Sequence, residues 1–130
     1  MVAAMFIIYQ DAGGSYRFHL RAPNNEIIAV SEGYQSRSGC INGVNTVKRY
    51  CSAEVEDQTT DGLALSNPKF QIYRDTARKY RFRLRARNNE IILTGEAYES
   101  KQGCQNGIQA IKRYCTSARI QDRETGKYLE

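Results

Sequence analysis

Phe6 and Ile8 alternate with Ile7 and Tyr9 near the start of the chain, and 64 residues later Phe70 and Ile72 alternate with Gln71 and Tyr73. Because position 71 is polar where position 7 is apolar, the Phe/Ile parity marks the buried face of a first strand. Tyr16, Phe18 and Leu20 then alternate with Arg17, His19 and Arg21, as do Tyr80, Phe82 and Leu84 with Arg81, Arg83 and Arg85. That is the pattern of a second strand with one wet face. Asn24-Asn25 and Asn88-Asn89 suit tight turns, because Asn tolerates positive φ. A third strand is predicted over 26–31, with its buried face left open.

Ser36 and Ser100 are placed as helix N-caps. After them Cys40, Val44, Val47 and Cys51 recur on one helical face, as do Cys104, Ile108, Ile111 and Cys115. Gly43 and Gly107 lie beside the stripe, where a missing side chain lets the helix approach the sheet. Lys48 and Arg49 in the last turn suit the helix dipole. Short strands around 54–56 and 119–121 complete a β-β-β-α-β unit.

The unit occurs twice. Residues 6–51 and 70–115 align without a gap, and 26 of the 46 pairs are identical. The repeats are taken as 6–57 and 70–122, joined by a polar loop over 58–69. Solenoids need three or more repeats, so two copies point to one closed, pseudo-twofold domain spanning 1–130.

The motifs Phe-x-Ile-Tyr, Tyr-Arg-Phe-x-Leu-Arg-Ala, Asn-Glu-Ile-Ile, Glu-x-Tyr-x-Ser, the helical Asn-Gly pair and Val/Ile-Lys-Arg occur in both copies. Together they resemble the YegP-like family of small, mostly bacterial proteins that carry a domain of unknown function. The resemblance implies an α+β fold in which two β3-α-β units share one continuous sheet, with two helices on one face and the last strands exchanged. It implies no reaction. The chain departs from the family pattern at Asn25 and Asn89, where Gly is expected, and at Cys40 and Cys104, where Ala is expected.

Composition narrows the function classes. With 41% hydrophobic and 25% charged residues, the chain has the make-up of a soluble domain, and no run approaches the roughly 18 apolar residues of a membrane helix. Met1 to Ile8 lacks the features of a signal peptide, so a cytoplasmic location is the expectation. No phosphate loop, catalytic triad or zinc motif is present, and neither cofactor nor metal is expected. His19 is read as a solvated surface residue, since its counterpart is Arg83. Glu26, Glu90, Glu32 and Glu96 are expected to pair with arginines across strands.

The four cysteines fall at equivalent positions. Cys40 and Cys51 stand about 16 Å apart along one helix, beyond the roughly 7 Å reach of a disulfide. A bridge between copies requires equivalent cysteines to meet near the pseudo-twofold axis. Cys40 and Cys104 lie one turn inside a helix N-terminus, a position that can activate a thiol, yet they also belong to the apolar stripe.

Charge separates the copies. Residues 1–65 hold five Lys/Arg against seven Asp/Glu, net −2, and residues 66–130 hold fourteen against seven, net +7. Lys79, Arg81, Arg83, Arg85 and Arg87 share parity and project from one face while the strand lasts, about 7 Å apart. Such a ladder needs carboxylates or an outside anion opposite it. Three readings compete: a non-enzymatic interaction face that is solvated or covered by a partner, with the chain a monomer or weak homodimer; a polyanion platform, nucleic acid being the candidate, with Tyr73 for stacking; and thiol-based redox activity.

Overall fold

The structure, a computed structural model, describes residues 3–129, so Met1, Val2 and Glu130 of the expected domain lie outside it. In the first copy β1 (Met5–Gln10), β2 (Tyr16–Arg21), β3 (Ile27–Val30), α1 (Arg37–Tyr50) and β4 (Val55–Asp57) follow one another. The second copy gives β5 (Lys69–Arg74), β6 (Tyr80–Arg85), β7 (Ile91–Gly95), α2 (Lys101–Tyr114) and β8 (Arg119–Asp122). The fold is α+β, as the periodicity implies.

All eight strands join one sheet in the order β4-β5-β6-β7-β3-β2-β1-β8. The two copies meet at β3 and β7, where Val30 pairs with Thr94. These two residues are equivalent in the repeat, so the pseudo-twofold axis passes between them. The last strands are exchanged: β4 runs parallel to β5, and β8 parallel to β1. Each exchange is pinned by an ion pair to the first helical residue of the other copy. Lys101 Nζ lies 2.9 Å from Asp57 Oδ2, and Arg37 pairs with Asp122.

Local chemistry explains the elements. Ser36 Oγ accepts from the Gly39 N–H and Ser100 Oγ from the Gly103 N–H, both at 3.0 Å, which satisfies orphan donors of each first turn. Asn25 and Asn89 take φ of 71° and 74° in the β2–β3 and β6–β7 turns, which is how Asn serves where the resemblance leads to an expectation of Gly. The parity of β3 is resolved by its neighbours: Ala29 and Ile28 are both buried, and Val30 looks to the open face beside His19.

Both helices cover one face of the sheet. Phe6, Phe18, Phe70 and Phe82 are fully buried there against the cysteine-containing stripes. Gly43 and Gly107 permit this packing, although what approaches them is an aromatic ring more than the sheet backbone. A Cβ on either glycine would stand 2.3 Å from the hydroxyl of Tyr34 or Tyr98. Those tyrosines stack on Phe18 and Phe82, so the Glu-x-Tyr-x-Ser motif supplies a ring wedged between helix and sheet.

Candidate functional site

The face away from the helices is where the charged residues gather. Strand register sets a row across it: Glu56, Gln71, Arg83, Thr94, Val30, His19, Ile7 and Gln121. The pseudo-twofold axis divides the row. On one side stand Gln71 and Arg83 of copy two with Glu56 on the strand lent by copy one; on the other stand Ile7 and His19 of copy one with Gln121 lent by copy two.

The arginine ladder is shorter than its parity suggests. β6 holds Arg81, Arg83 and Arg85; Lys79 precedes the strand, and the register shifts at Leu84/Arg85 before Arg87. Arg87 lies beside Thr46, Arg49 and Tyr50 of α1 and so leaves the ladder. Lys79 pairs with Glu99. Arg81 donates to Asp75 Oδ2 at 2.7 Å, and Asp75 also accepts from the Ala77 and Lys79 N–H groups. Arg17 and Asp11 repeat this clamp at 2.7 Å in copy one. The Arg81 guanidinium holds the Asp75 carboxyl below its usual range. The arginines thus take aspartates of the adjoining turn, where cross-strand pairing with Glu90 and Glu96 was expected.

Arg83 and Arg85 remain. Their Nε atoms donate to one neutral oxygen, Gln71 Oε1, at 2.8 and 2.7 Å. Arg85 also donates to the Asn89 carbonyl at 2.8 Å, and Arg83 to Gln58 Oε1 at 3.4 Å. Arg83 lies over the Tyr73 ring, 4.2 Å from its centre, so the aromatic expected to stack on a base is already capped by a guanidinium.

Gln71 is oriented from behind by Glu56. Its Nε2 donates to Glu56 Oε1 at 2.8 Å, while Glu56 Oε2 accepts from Lys69 Nζ and the Leu65 N–H, both at 2.7 Å. Lys69, the Leu65 amide and Gln71 together hold the Glu56 carboxyl down to about 2. One carboxylate therefore faces three cations, Lys69, Arg83 and Arg85, and the cluster is positive. Glu56, Gln71 and Lys69 were not singled out from the sequence. The usable signal was the joint replacement of Ile7 by Gln71 and His19 by Arg83 at facing positions of the row.

His19 corrects the expectation of a solvated residue: it is only 5% exposed. The Tyr9 ring packs 5.3 Å away, and Arg123 lies 4.3 Å over Tyr9. Burial, then Arg123 and Arg21, push the imidazole down to about 4. The folded form therefore resists a proton that the unfolded chain accepts below about 6.5. Stability is expected to fall by about 3 kcal/mol as pH drops from about 6.5 to about 4, from this residue alone. Denaturation midpoints measured against pH should show that slope, and His19→Gln should flatten it.

Cys40 and Cys104 are fully buried, and burial pushes both thiols up to about 11. That opposes the activated nucleophile one turn inside a helix.

Two segments of the chain, residues 11–57 and 75–122, match the family described as a domain of unknown function, DUF1508. The chain belongs to this family. A full-length relative, the UPF0339 protein of the ptx operon 5′ region in Stutzerimonas stutzeri, is 31% identical over 119 residues, covering 92% of this chain and 96% of its own. A UPF0339 protein of Treponema denticola is 50% identical over 52 residues, which are 40% of this chain and 90% of its own. That relative aligns over about one repeat. The solution structure of yegP from Escherichia coli, a protein of unknown function, superposes with a TM-score of 0.77 at 24% identity, covering 95% of both chains. The family resemblance read from the motifs is thereby shown, and so is the shared fold. No catalytic role is attached to the family by these relatives. Among the described residues no helix is long and apolar enough to cross a membrane.

Proposed function

We propose that this chain is a non-enzymatic binding module that takes a polyanion, the phosphates of a nucleic-acid strand, on the open sheet face of copy two. The observation that carries the reading is the sharing of Gln71 Oε1 by Arg83 and Arg85. Two guanidinium groups converge on an uncharged acceptor, each with further donors to offer, and an arriving phosphate supplies the charge that Gln71 lacks. Lys69 stands at the same edge, and the net +7 of residues 66–130 supplies a long-range field toward this side. The chain acts as one pseudo-twofold unit, monomeric or weakly dimeric, in the cytoplasm.

Arg81 and Lys79 have carboxylate partners of their own and serve the turn, and Lys69 is held by Glu56, so the site narrows to Arg83 and Arg85. Fluorescence anisotropy with short single-stranded DNA and RNA should show affinity that falls steeply with salt, since each phosphate neutralised contributes a slope of about −0.7 in log K against log salt. Arg83→Ala with Arg85→Ala should weaken binding at least about tenfold and flatten the slope by about 1 to 2. Affinity absent at low salt, or untouched by the double substitution, would refute the reading.

A further inference from the structure

The repeat brings one pair of chemically reactive groups together that the binding face does not use. Cys51 caps α1 and Cys115 caps α2. Cys115 Sγ lies 3.7 Å from the Val47 carbonyl of α1, while Cys51 Sγ lies 3.5 Å from the Lys48 carbonyl one turn before it. The α2 cap thus reaches the last turn of α1, and the two thiols sit against consecutive carbonyls of that turn. Because they are repeat-equivalent residues brought to the same helical turn, they straddle the pseudo-twofold axis. Both side chains are buried, and both are free thiols.

We infer that Cys51 and Cys115 form a redox site, a dithiol that a peroxide converts to a disulfide joining the ends of the two helices across the axis. Placed on the adjacent Val47 and Lys48 carbonyls, the two sulfurs are neighbours across the helix ends, whereas Cys40 and Cys104 each lie about 16 Å along their helix from the cap. The bond donated by Cys115 holds the Cys51 thiol low, helped by Lys112 and Lys48, and the same contact together with burial pushes Cys115 up. Cys51, whose sulfur lies on the Lys48 carbonyl, is taken as the attacking sulfur. As a thiolate it takes one peroxide oxygen to become a sulfenic acid, and the other oxygen leaves as hydroxide and is protonated to water. The Cys115 sulfur then displaces the sulfenic oxygen, which leaves as a second water. In sum two thiols and one hydrogen peroxide give one disulfide and two waters; each sulfur loses one electron and each peroxide oxygen gains one. Peroxide is small and uncharged, which suits a buried pair. Cys51 lies just beyond the last helical turn, where local opening is easiest.

The disulfide would close a loop running from one helix cap to the other and constrain the unfolded chain. For a loop of this length the melting temperature should rise by about 10 °C. The test treats the folded full-length chain with hydrogen peroxide, quenches it with catalase, alkylates remaining thiols in denaturant and maps the digest by mass spectrometry. Expected are a peptide joining Cys51 to Cys115, alkylated Cys40 and Cys104, the raised melting temperature, and loss of the linked peptide and of the thermal shift when dithiothreitol is added before alkylation. Cys51→Ser should abolish the linked peptide and the thermal shift. If wild-type chain yields over-oxidised or unreacted Cys51 without the linked peptide, or links only after denaturant is added, the inference is overturned; this readout needs no variant to fold.

Discussion

Glu56→Leu is expected to destabilise the chain by about 3–5 kcal/mol, because it breaks a buried ion pair and leaves its partners behind. Glu56 is 6% exposed and accepts from the Lys69 ammonium, the Leu65 amide and the Gln71 amide. Leucine fills the space but accepts nothing, so Lys69 keeps only the Leu65 carbonyl and three further donors, the Leu65 N–H and the Gln71 and Gln58 side-chain amides, lose their acceptor. The residue belongs to β4, the strand that copy one lends to copy two. Its loss therefore weakens the exchange as well as the cluster. It also frees Gln71 to turn away, which releases Arg83 and Arg85 and should change anion affinity beyond the change in stability. Guanidinium unfolding followed by circular dichroism should show a lower midpoint with an unchanged slope. Glu56→Gln, which keeps an acceptor, should cost less. The carboxyl sits at about 2 when folded and near 4.5 when unfolded, so its contribution is complete above about 4.5 and is lost as pH falls through about 2. Glu56→Gln should remove that acid-side loss.

The elements were legible because each is a local signal written twice. The Phe18 and Phe82 parity, the Ser36 and Ser100 caps and the stripe from Cys40 to Cys51 depend on neighbours within one strand or one helical turn. The exchange of last strands came through family resemblance, since a strand as short as β4 carries too little pattern to declare its partner. The site was legible in charge but not in pairing. Arg81 turned to Asp75 because the turn aims that carboxylate through its own backbone bonds, a geometry no spacing reveals. His19 is dry because Tyr9 and Arg123 cover it, and Arg123 arrives with β8 from the far end of the chain. Glu56 and Gln71 meet only after the exchange has placed β4 beside β5. The approach of Cys51 and Cys115 to one helical turn is legible only once the axis is located, at Val30 and Thr94.

Cutting the chain at Gly62 should leave neither half able to melt cooperatively as a monomer. Copy two alone loses β4, so β5 becomes an open edge and Lys69 and Gln71 lose Glu56. Copy one alone loses β8 from β1, and with it Ile120, the Asp122 partner of Arg37 and the Arg123 cover of Tyr9. The seam suffers in both, because α1 rests on β7 and α2 on β3 across the axis. Each piece of about 65 residues is already near the size at which a single core is marginal. Removing the lent strand and half the helix cover exposes apolar side chains such as Leu93 and Ile28, and open parallel-pairing edges invite a second copy. The expected product is thus either an unfolded piece or a homodimer in which two identical copies rebuild the sheet, which a relative of about one repeat's length makes chemically reasonable. Sedimentation with thermal unfolding checks it: a sharp, concentration-independent transition in a monomeric half would refute the single pseudo-twofold unit. Mixing the two halves should restore the eight-stranded sheet and, with it, the Glu56 support beneath Arg83 and Arg85.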